Sequence, residues 1–218
     1  MATQATRWGI DLGTSNTTVS EDRTGSPRIV NLPDLVKVEP LTQTPVIMSS
    51  VCIMDRRAER VLIGQEAEDY NWDGRAEGFA HGFKRWLGRD SGRIMARVAG
   101  RDFTAREVAE LFFRELTGAL EARLDEPVTD VTIAAPCDAF ETYRAELREI
   151  VDGLDRRSWL RRIWDRLRGR KGGIRFRTLD EPVAAALGYG VDVGRPTTLV
   201  AFDFGAGTME VAAVRTFG

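Results

Sequence analysis

Apolar residues alternate with small or polar ones near the start of the chain. Trp8, Ile10 and Leu12 are separated by Gly9 and Asp11, the two-residue period of a strand with one buried face. The alternation breaks at Gly13 into Thr14, Ser15 and Asn16 and resumes through Val19, which predicts a β-hairpin with a glycine and hydroxyl tip. Residues 28–32, 46–54 and 61–63 read as short strands punctuated by Pro33, Pro40 and Pro45, and 65–70 as a short helix. Thr104 with Glu107 three residues on is a capping box. Behind it Val108, Leu111, Phe112, Leu116, Leu120 and Leu124 recur at helical spacing, so a long helix turns one face to the core.

Residues 128–135 form a β-branched run ended by Pro136, and Asp138 with Glu141 opens a helix carrying Phe140, Leu147, Ile150 and Val151. A strand over 174–179 leads into an Ala-rich helix over 181–189, with Pro182 suited to its first turn and Glu181 placed to cap it. Two apolar strands, 197–204 and 209–216, flank the turn Asp203-Phe-Gly-Ala-Gly-Thr208. Strands alternating with helices make this an α/β chain.

The 218 residues can bury a substantial core, as one large domain or two lobes. Composition is that of a globular protein, 43% hydrophobic and 29% charged with a net charge of −2. No apolar run reaches the length of a membrane span, and no secretory leader is expected, so the chain is assigned to the cytoplasm. Cys52 and Cys137 stand in unlike contexts and are expected as free thiols. His81 is the only histidine and no His/Cys cluster has metal-ligand spacing, which argues against a His-based triad or a zinc site. Of 31 basic residues only Lys37, Lys84 and Lys171 are lysines, so a lysine among phosphate-binding candidates carries information that an arginine would not.

The candidate chemistry lies in the two hairpins. A glycine turn presents backbone N–H groups, Thr14 and Ser15 add hydroxyl donors, and Asp11 offers a carboxylate for a hydrated Mg²⁺. Such a tip is equally an ordinary β-turn when taken alone. No Walker sequence is present. The second hairpin repeats the first in kind, strand, Asp203, then Gly205-Ala206-Gly207-Thr208, and the repetition points to a pair of facing phosphate clamps. Between them, in Gly82-Phe-Lys-Arg-Trp-Leu-Gly88, Phe83, Trp86 and Leu87 are able to pack while Lys84 projects elsewhere.

Gly9–Thr17, Phe83–Arg89, Val131–Pro136 with Arg144, Asp180–Gly190 and Phe202–Thr208 together resemble, in order, the motifs of the nucleotide-binding domain of DnaK-type heat shock protein 70 chaperones. The match runs over nearly the whole chain. Actins and sugar kinases share the hairpins but not the Lys-Arg-x-x-Gly-Arg and Glu-Pro-x-Ala-Ala-Ala elements together. The resemblance implies an actin-like, ribonuclease H-like ATPase lobe with a mixed five-stranded sheet flanked by helices. Residues 1–196 would be the first lobe, with an inserted subdomain over about 33–103, and 197–218 the opening hairpin of a second.

The resemblance also implies the ligands, ATP/ADP and Mg²⁺, and residue roles. Asp11 and Asp203 would hold Mg²⁺ through its waters. Gly13, Thr14, Ser15, Asn16, Gly205, Ala206, Gly207 and Thr208 would cradle phosphates. Lys84 would meet the γ-phosphate, Glu181 would orient the attacking water, and Pro136 with Arg144 would relay nucleotide state to a peptide-binding domain. Clients and co-chaperones are the implied partners; no specific nucleic acid is.

Four features depart from that pattern. Ala206 replaces a usual glycine, and the stretch from Arg89 to Arg101 is short. An additional segment, 155–172, contains eight basic residues and one acid between Arg156 and Lys171, a net +7 that leaves −9 for the remainder. Trp159, Leu160, Ile163, Trp164 and Leu167 share one helical face there, fit for an acidic partner, an anionic membrane surface or the parent domain. The chain also stops within what would be the second lobe, so the missing lobe is expected from a longer chain or another subunit, and the 218 residues alone are expected to be inactive. An assembly module without turnover and a bacterial-actin-like filament protein are the alternative readings of the same pattern.

Overall fold

The computed structural model describes residues 5–137, 141–154, 173–192, 194–205 and 209–217; at Asp203 and Glu210 only the backbone is described. The predicted N-terminal hairpin forms as β1 (Arg7–Leu12) and β2 (Asn16–Asp22), antiparallel from Arg7 opposite Asp22 to Leu12 opposite Thr17. Trp8, Ile10 and Leu12 are buried while Arg7 and Asp11 face solvent, the alternation the sequence carries.

β1 pairs in parallel with β11 (Asp130–Ala135), and β11 in parallel with β12 (Arg175–Asp180). On the other side β2 pairs with β5 (Pro45–Met48), β5 with β4 (Val36–Val38), and the two-residue β3 (Arg28–Ile29) also joins β2. The result is a mixed sheet of seven strands, ordered β12-β11-β1-β2-β5-β4 with β3 beside β2. The expected count was five; β3 falls within the predicted strand 28–32, shortened to two residues, and β4 is a three-residue addition that local alternation did not reveal.

The apolar run 46–54 does not form one strand. It divides at Ser49, so that β5 stays in the large sheet while β6 (Ser50–Ile53) turns into a separate three-stranded sheet with β7 (Val61–Ile63) and β8 (Phe79–His81). β9 (Ile94–Val98) and β10 (Arg101–Thr104) form a further hairpin that the sequence pattern did not reveal.

Four helices are described. α1 (Gly64–Tyr70) is the predicted short helix. α2 (Ala105–Leu124) opens on the capping box: Thr104 accepts from the Glu107 N–H, and Glu107 accepts from the Thr104 N–H. Its stripe of Val108, Leu111, Phe112, Leu116 and Leu120 is buried, and Leu124 packs at the margin. α3 (Glu141–Gly153) buries Tyr143, Leu147, Ile150 and Val151; Asp138 and Phe140, expected at its start, lie outside the described residues.

α4 (Glu181–Gly188) carries Pro182 in its first turn as expected, but its N-cap is Asp180 rather than Glu181. Glu181 is the first helical residue, and its carboxylate accepts from Lys84. Beyond α4, β13 (Thr197–Phe204) and β14 (Met209–Thr216) pair antiparallel over their whole length as a two-stranded sheet of their own.

Candidate functional site

The turn between β1 and β2 is shaped by Gly13, as expected, and by Ser49, which sequence reasoning passed over. Gly13 donates to the Asn16 carbonyl at 3.0 Å, and a Cβ on Gly13 would lie 2.2 Å from that oxygen, so only glycine fits. Ser49 then braces the turn from behind. Its N–H donates to the Ser15 carbonyl at 2.7 Å and its hydroxyl to the Gly13 carbonyl at 2.9 Å. Because the Ser49 proton is committed to Gly13, the buried Thr17 hydroxyl, 2.9 Å away, donates to Ser49. In trans peptides C=O and N–H point in opposite directions, and the described residues contain no cis bond. Carbonyls 13 and 15 turned toward Ser49 therefore send the N–H groups of Thr14 and Asn16 away from it. The signal for Ser49 was the Ser49-Ser50 pair inside an otherwise apolar run.

Lys84 lies in a 3₁₀ turn, Phe83–Trp86, entered through Gly82 at φ of +67°. Phe83 is fully buried against Phe112 of α2, with ring centroids 5.4 Å apart, and Leu87 is buried as well. Trp86 is only half-buried and lies under the Arg93 guanidinium, 3.9 Å from the ring centre. With the two apolar anchors in the core, Lys84 projects the other way and donates to Glu181 Oε1 at 2.8 Å. Both side chains of this ion pair are about nine-tenths covered, 11% and 10% exposed. Gly82 also lies beside the Thr14 methyl, 4.0 Å from where its own Cβ would stand, so the Lys84 turn and the hairpin tip are neighbours.

Sheet register brings the other candidates to the same edge. Asp11 is level with Ala134 on β11, and Ala134 with Leu179 on β12. Asp11, Pro136 and Glu181 consequently emerge together at the carboxyl ends of three parallel strands, where α/β sheets ordinarily bind ligands. A cavity of about 190 Å³ lies alongside, lined by Gly9, Asp11, Thr132, Ala134, Leu179 and Ala184 among others. A larger cavity of about 490 Å³ lies between α2 and α3, lined by Arg57, Arg101, Phe103, Leu111 and Glu149 among others. None of the candidate residues of the hairpins, the Lys84 turn or the strand ends lines it.

Arg144 donates to Thr178 Oγ1 at 3.0 Å and to Asp180 Oδ1 at 2.6 Å, tying α3 to the residue just before Glu181. Half-buried Pro136 lies across residues 138–140, which are not described, so the pairing of Pro136 with Arg144 is not displayed. Asp203 is placed by its backbone opposite Glu210, and Gly205 is exposed. Ala206, Gly207, Thr208 and the basic segment 155–172 lie outside the described residues.

Tyr143 was not anticipated as a site residue. Its spacing to Leu147 and Ile150 marks a buried helical face, and a tyrosine on such a face needs a partner for its hydroxyl. That hydroxyl is buried without a hydrogen-bond partner among the described residues, which by itself costs about 1–3 kcal/mol. Burial pushes the phenol up; the carboxylates of Glu181 and Asp11 push it further, Arg144 opposes them, and Glu146 adds to the rise. The phenol therefore keeps its proton and stays a donor. Around it, Glu146 accepts from the Gly88 N–H and from Ser91 Oγ, both at 2.6 Å, and Thr142 donates to the Gly88 carbonyl at 3.0 Å.

No family model matches the chain. Curated chaperones do. The chain is 28% identical over 229 residues to Chaperone protein dnaK3 of Synechococcus elongatus, covering 95% of the chain and 27% of that protein. It is 28% identical to Chaperone protein DnaK 1 of a Synechococcus strain, and 27% identical to Chaperone protein dnaK3 of Thermosynechococcus vestitus, each over 94% of the chain. The chain is a divergent relative of the DnaK-type chaperones. It spans about 27–29% of the length of these relatives. The mixed α/β architecture is consistent with the DnaK and actin-like type of ATPase lobe.

The residues present suit the phosphate and Mg²⁺ that such relatives imply. The hairpin tip has a position where any Cβ would collide, the carboxylate of Asp11 faces solvent at a strand end, and a buried hydroxyl nearby lacks a partner. Among the described residues no group of three or more His, Cys, Asp and Glu side chains is placed to hold a metal directly. No described helix is long and apolar enough to cross a membrane. Cys52 is buried and Cys137 exposed, both as free thiols.

Proposed function

We propose that this chain is the first part of a nucleotide-binding domain that binds Mg-ATP and hydrolyses it to ADP when a second lobe completes the cleft. In the complete protein that turnover would drive a DnaK-like chaperone acting in the cytoplasm on protein clients with co-chaperones. The observation that carries the reading is the covered Lys84–Glu181 ion pair beside the glycine turn, made by residues 97 apart in sequence. A buried pair is a weak source of stability, because desolvation offsets most of its attraction. Its placement at the carboxyl edge of the parallel strands, next to a glycine and hydroxyl tip, is what a phosphate site requires.

In this reading the N–H groups at positions 14 and 16, with the hydroxyls of Thr14 and Ser15, receive phosphate oxygens. Lys84 leaves Glu181 for the terminal phosphoryl oxygens, and the freed carboxylate of Glu181 orients the attacking water. Asp11 and Asp203 would hold the Mg²⁺ ion, which would supply neutralisation of the developing phosphate charge. Gly205, Ala206, Gly207 and Thr208 form the opposing turn. Arg144, fixed to Asp180 beside Glu181, transmits the state of that carboxylate through α3 and Pro136.

The exposed apolar face of β13 and β14 favours one second reading, an assembly module whose partner covers that hairpin and which does not turn over ATP. The basic segment 155–172 is a proposed contact for an acidic partner or an anionic surface in either reading. Lys84→Met and Glu181→Gln in the longer protein that contains this chain separate the two. Each is expected to lower single-turnover ATP hydrolysis by roughly 10²–10³-fold, with the melting transition still cooperative. Unchanged phosphate release in both variants would leave only the assembly reading.

A further inference from the structure

Two side-chain atoms among the described residues are buried without a hydrogen-bond partner, Gln65 Oε1 and the Tyr143 hydroxyl. Gln65 still uses its amide, donating to Asp69 at 2.6 Å on the exposed side of α1, and no candidate chemistry surrounds it. Tyr143 differs. Its only polar group is orphaned, its ring is 5% exposed within the main core, and phenylalanine would fill the same volume without stranding a hydroxyl.

Its location is fixed from two sides. Gly88, at the end of the Lys84 turn, approaches so closely that a Cβ there would stand 2.6 Å from the Tyr143 Cα and N. The next residue, Arg144, is bonded to Thr178 and Asp180, at the start of the helix that carries Glu181. The Tyr143 backbone is thus held between the two segments that supply the Lys84–Glu181 pair, and its phenol lies within the electrostatic reach of both Glu181 and Asp11. Neither carboxylate accepts its proton in this structure, although an acceptor is what the hydroxyl lacks.

We propose that Tyr143 is a binding residue of the same site, its hydroxyl donating a hydrogen bond to the ligand oxygen, water or phosphate, that sits among Lys84, Glu181 and Asp11. The inference rests on reading that pair as part of a nucleotide site. The hydroxyl supplies a neutral donor at a place where Lys84 supplies a charged one and Glu181 an acceptor. Together they fix an oxygen from three directions, whereas two groups leave it free to swing.

The experiment is Tyr143→Phe in the longer protein that contains this chain, with Glu181→Gln beside it. Without ligand, the melting temperature of Tyr143→Phe should equal or exceed that of the parent, because an unpaired hydroxyl has been removed from the core. The rise in melting temperature produced by Mg-ADP with inorganic phosphate should be smaller in the variant. Steady-state hydrolysis should show kcat about tenfold lower with KM for ATP within about twofold, as expected for one lost hydrogen bond. A lowered melting temperature without ligand, or a variant matching the parent in both kcat and ligand-induced stabilisation, overturns the role of Tyr143. If that happens while Glu181→Gln still cuts turnover, the nucleotide site stands and Tyr143 alone is excluded from it. A parent protein with neither turnover nor ligand-induced stabilisation overturns both.

Discussion

Gly88 shows how closely the parts of the candidate site are fitted at the level of single atoms. It has φ of +69°, and an added Cβ would lie 2.6 Å from backbone atoms of Tyr143. Gly88→Ala combines the left-handed penalty with overpacking against backbone, and should destabilise by about 2–4 kcal/mol. Gly92, with open space around its virtual Cβ and no positive φ, is the control: Gly92→Ala should stay within about 0.5 kcal/mol of the parent. Chemical denaturation midpoints read both. At this scale the sequence displayed the residues whose type is unusual for its place, such as Lys84 among arginines and Glu181 beside a proline. It did not display those whose role is purely geometric. Ser49 braces the glycine turn across a strand pairing, and Glu146 receives the Gly88 N–H from 58 residues away. Neither relation leaves a local trace.

Helix α2 is the element most fully written in the sequence, and its start makes a pH prediction. Burial pushes the Glu107 carboxyl up, but hydrogen bonds from Thr104 and from Arg101 outweigh it and hold the group below the ordinary carboxylate range. A folded-state pKa below the unfolded one contributes stability above the unfolded value, roughly 4.3, and loses it as pH falls through the folded value. The Arg101 partner is 40% exposed, so solvent screens that pair and the cap dominates. Glu107→Gln should therefore cost about 1 kcal/mol at pH 7 and progressively less as pH drops below about 4. Melting temperatures of parent and variant, taken from pH 7 down to pH 3, should converge; a gap that stays constant with pH would remove the charge from the account. Long elements with caps and stripes were legible in this way, and so were β13 and β14, whose predicted bounds match. β4, β8, β9 and β10, at three to five residues, are too short for a period to show. They exist because a distant partner pairs with them. The division of 46–54 at Ser49 is tertiary too, since its two halves serve different sheets.

Across the whole molecule, the terminal hairpin is the part whose surface does not suit an isolated particle. Leu199, Ala201, Ala212 and Val214 are half-buried on the face toward α4, while Val200, Phe202, Phe204, Met209 and Val211 point the other way. Phe202 is 64% exposed, Phe204 74% and Met209 64%, and cross-strand register sets Phe202 beside Val211 and Phe204 beside Met209. Contiguous apolar surface of this kind marks an interface, and the curated relatives, of which the chain spans 27–29%, carry sequence beyond the matched part. Two consequences follow if a second lobe seats on this face and closes the nucleotide cleft. The 218-residue chain alone should bind Mg-ATP at least about a hundredfold more weakly than the longer protein, because half of the phosphate donors are then unorganised. Phe202→Ser with Val211→Thr should reduce concentration-dependent association of the short chain while leaving its melting temperature nearly unchanged. In the longer protein the same pair should destabilise, since two hydroxyls would be buried in an apolar contact. Light scattering and calorimetric titration on both forms measure the contrast. Equal, tight Mg-ATP affinity in the short and long forms would mean that the first lobe is self-sufficient and that the hairpin faces some other partner.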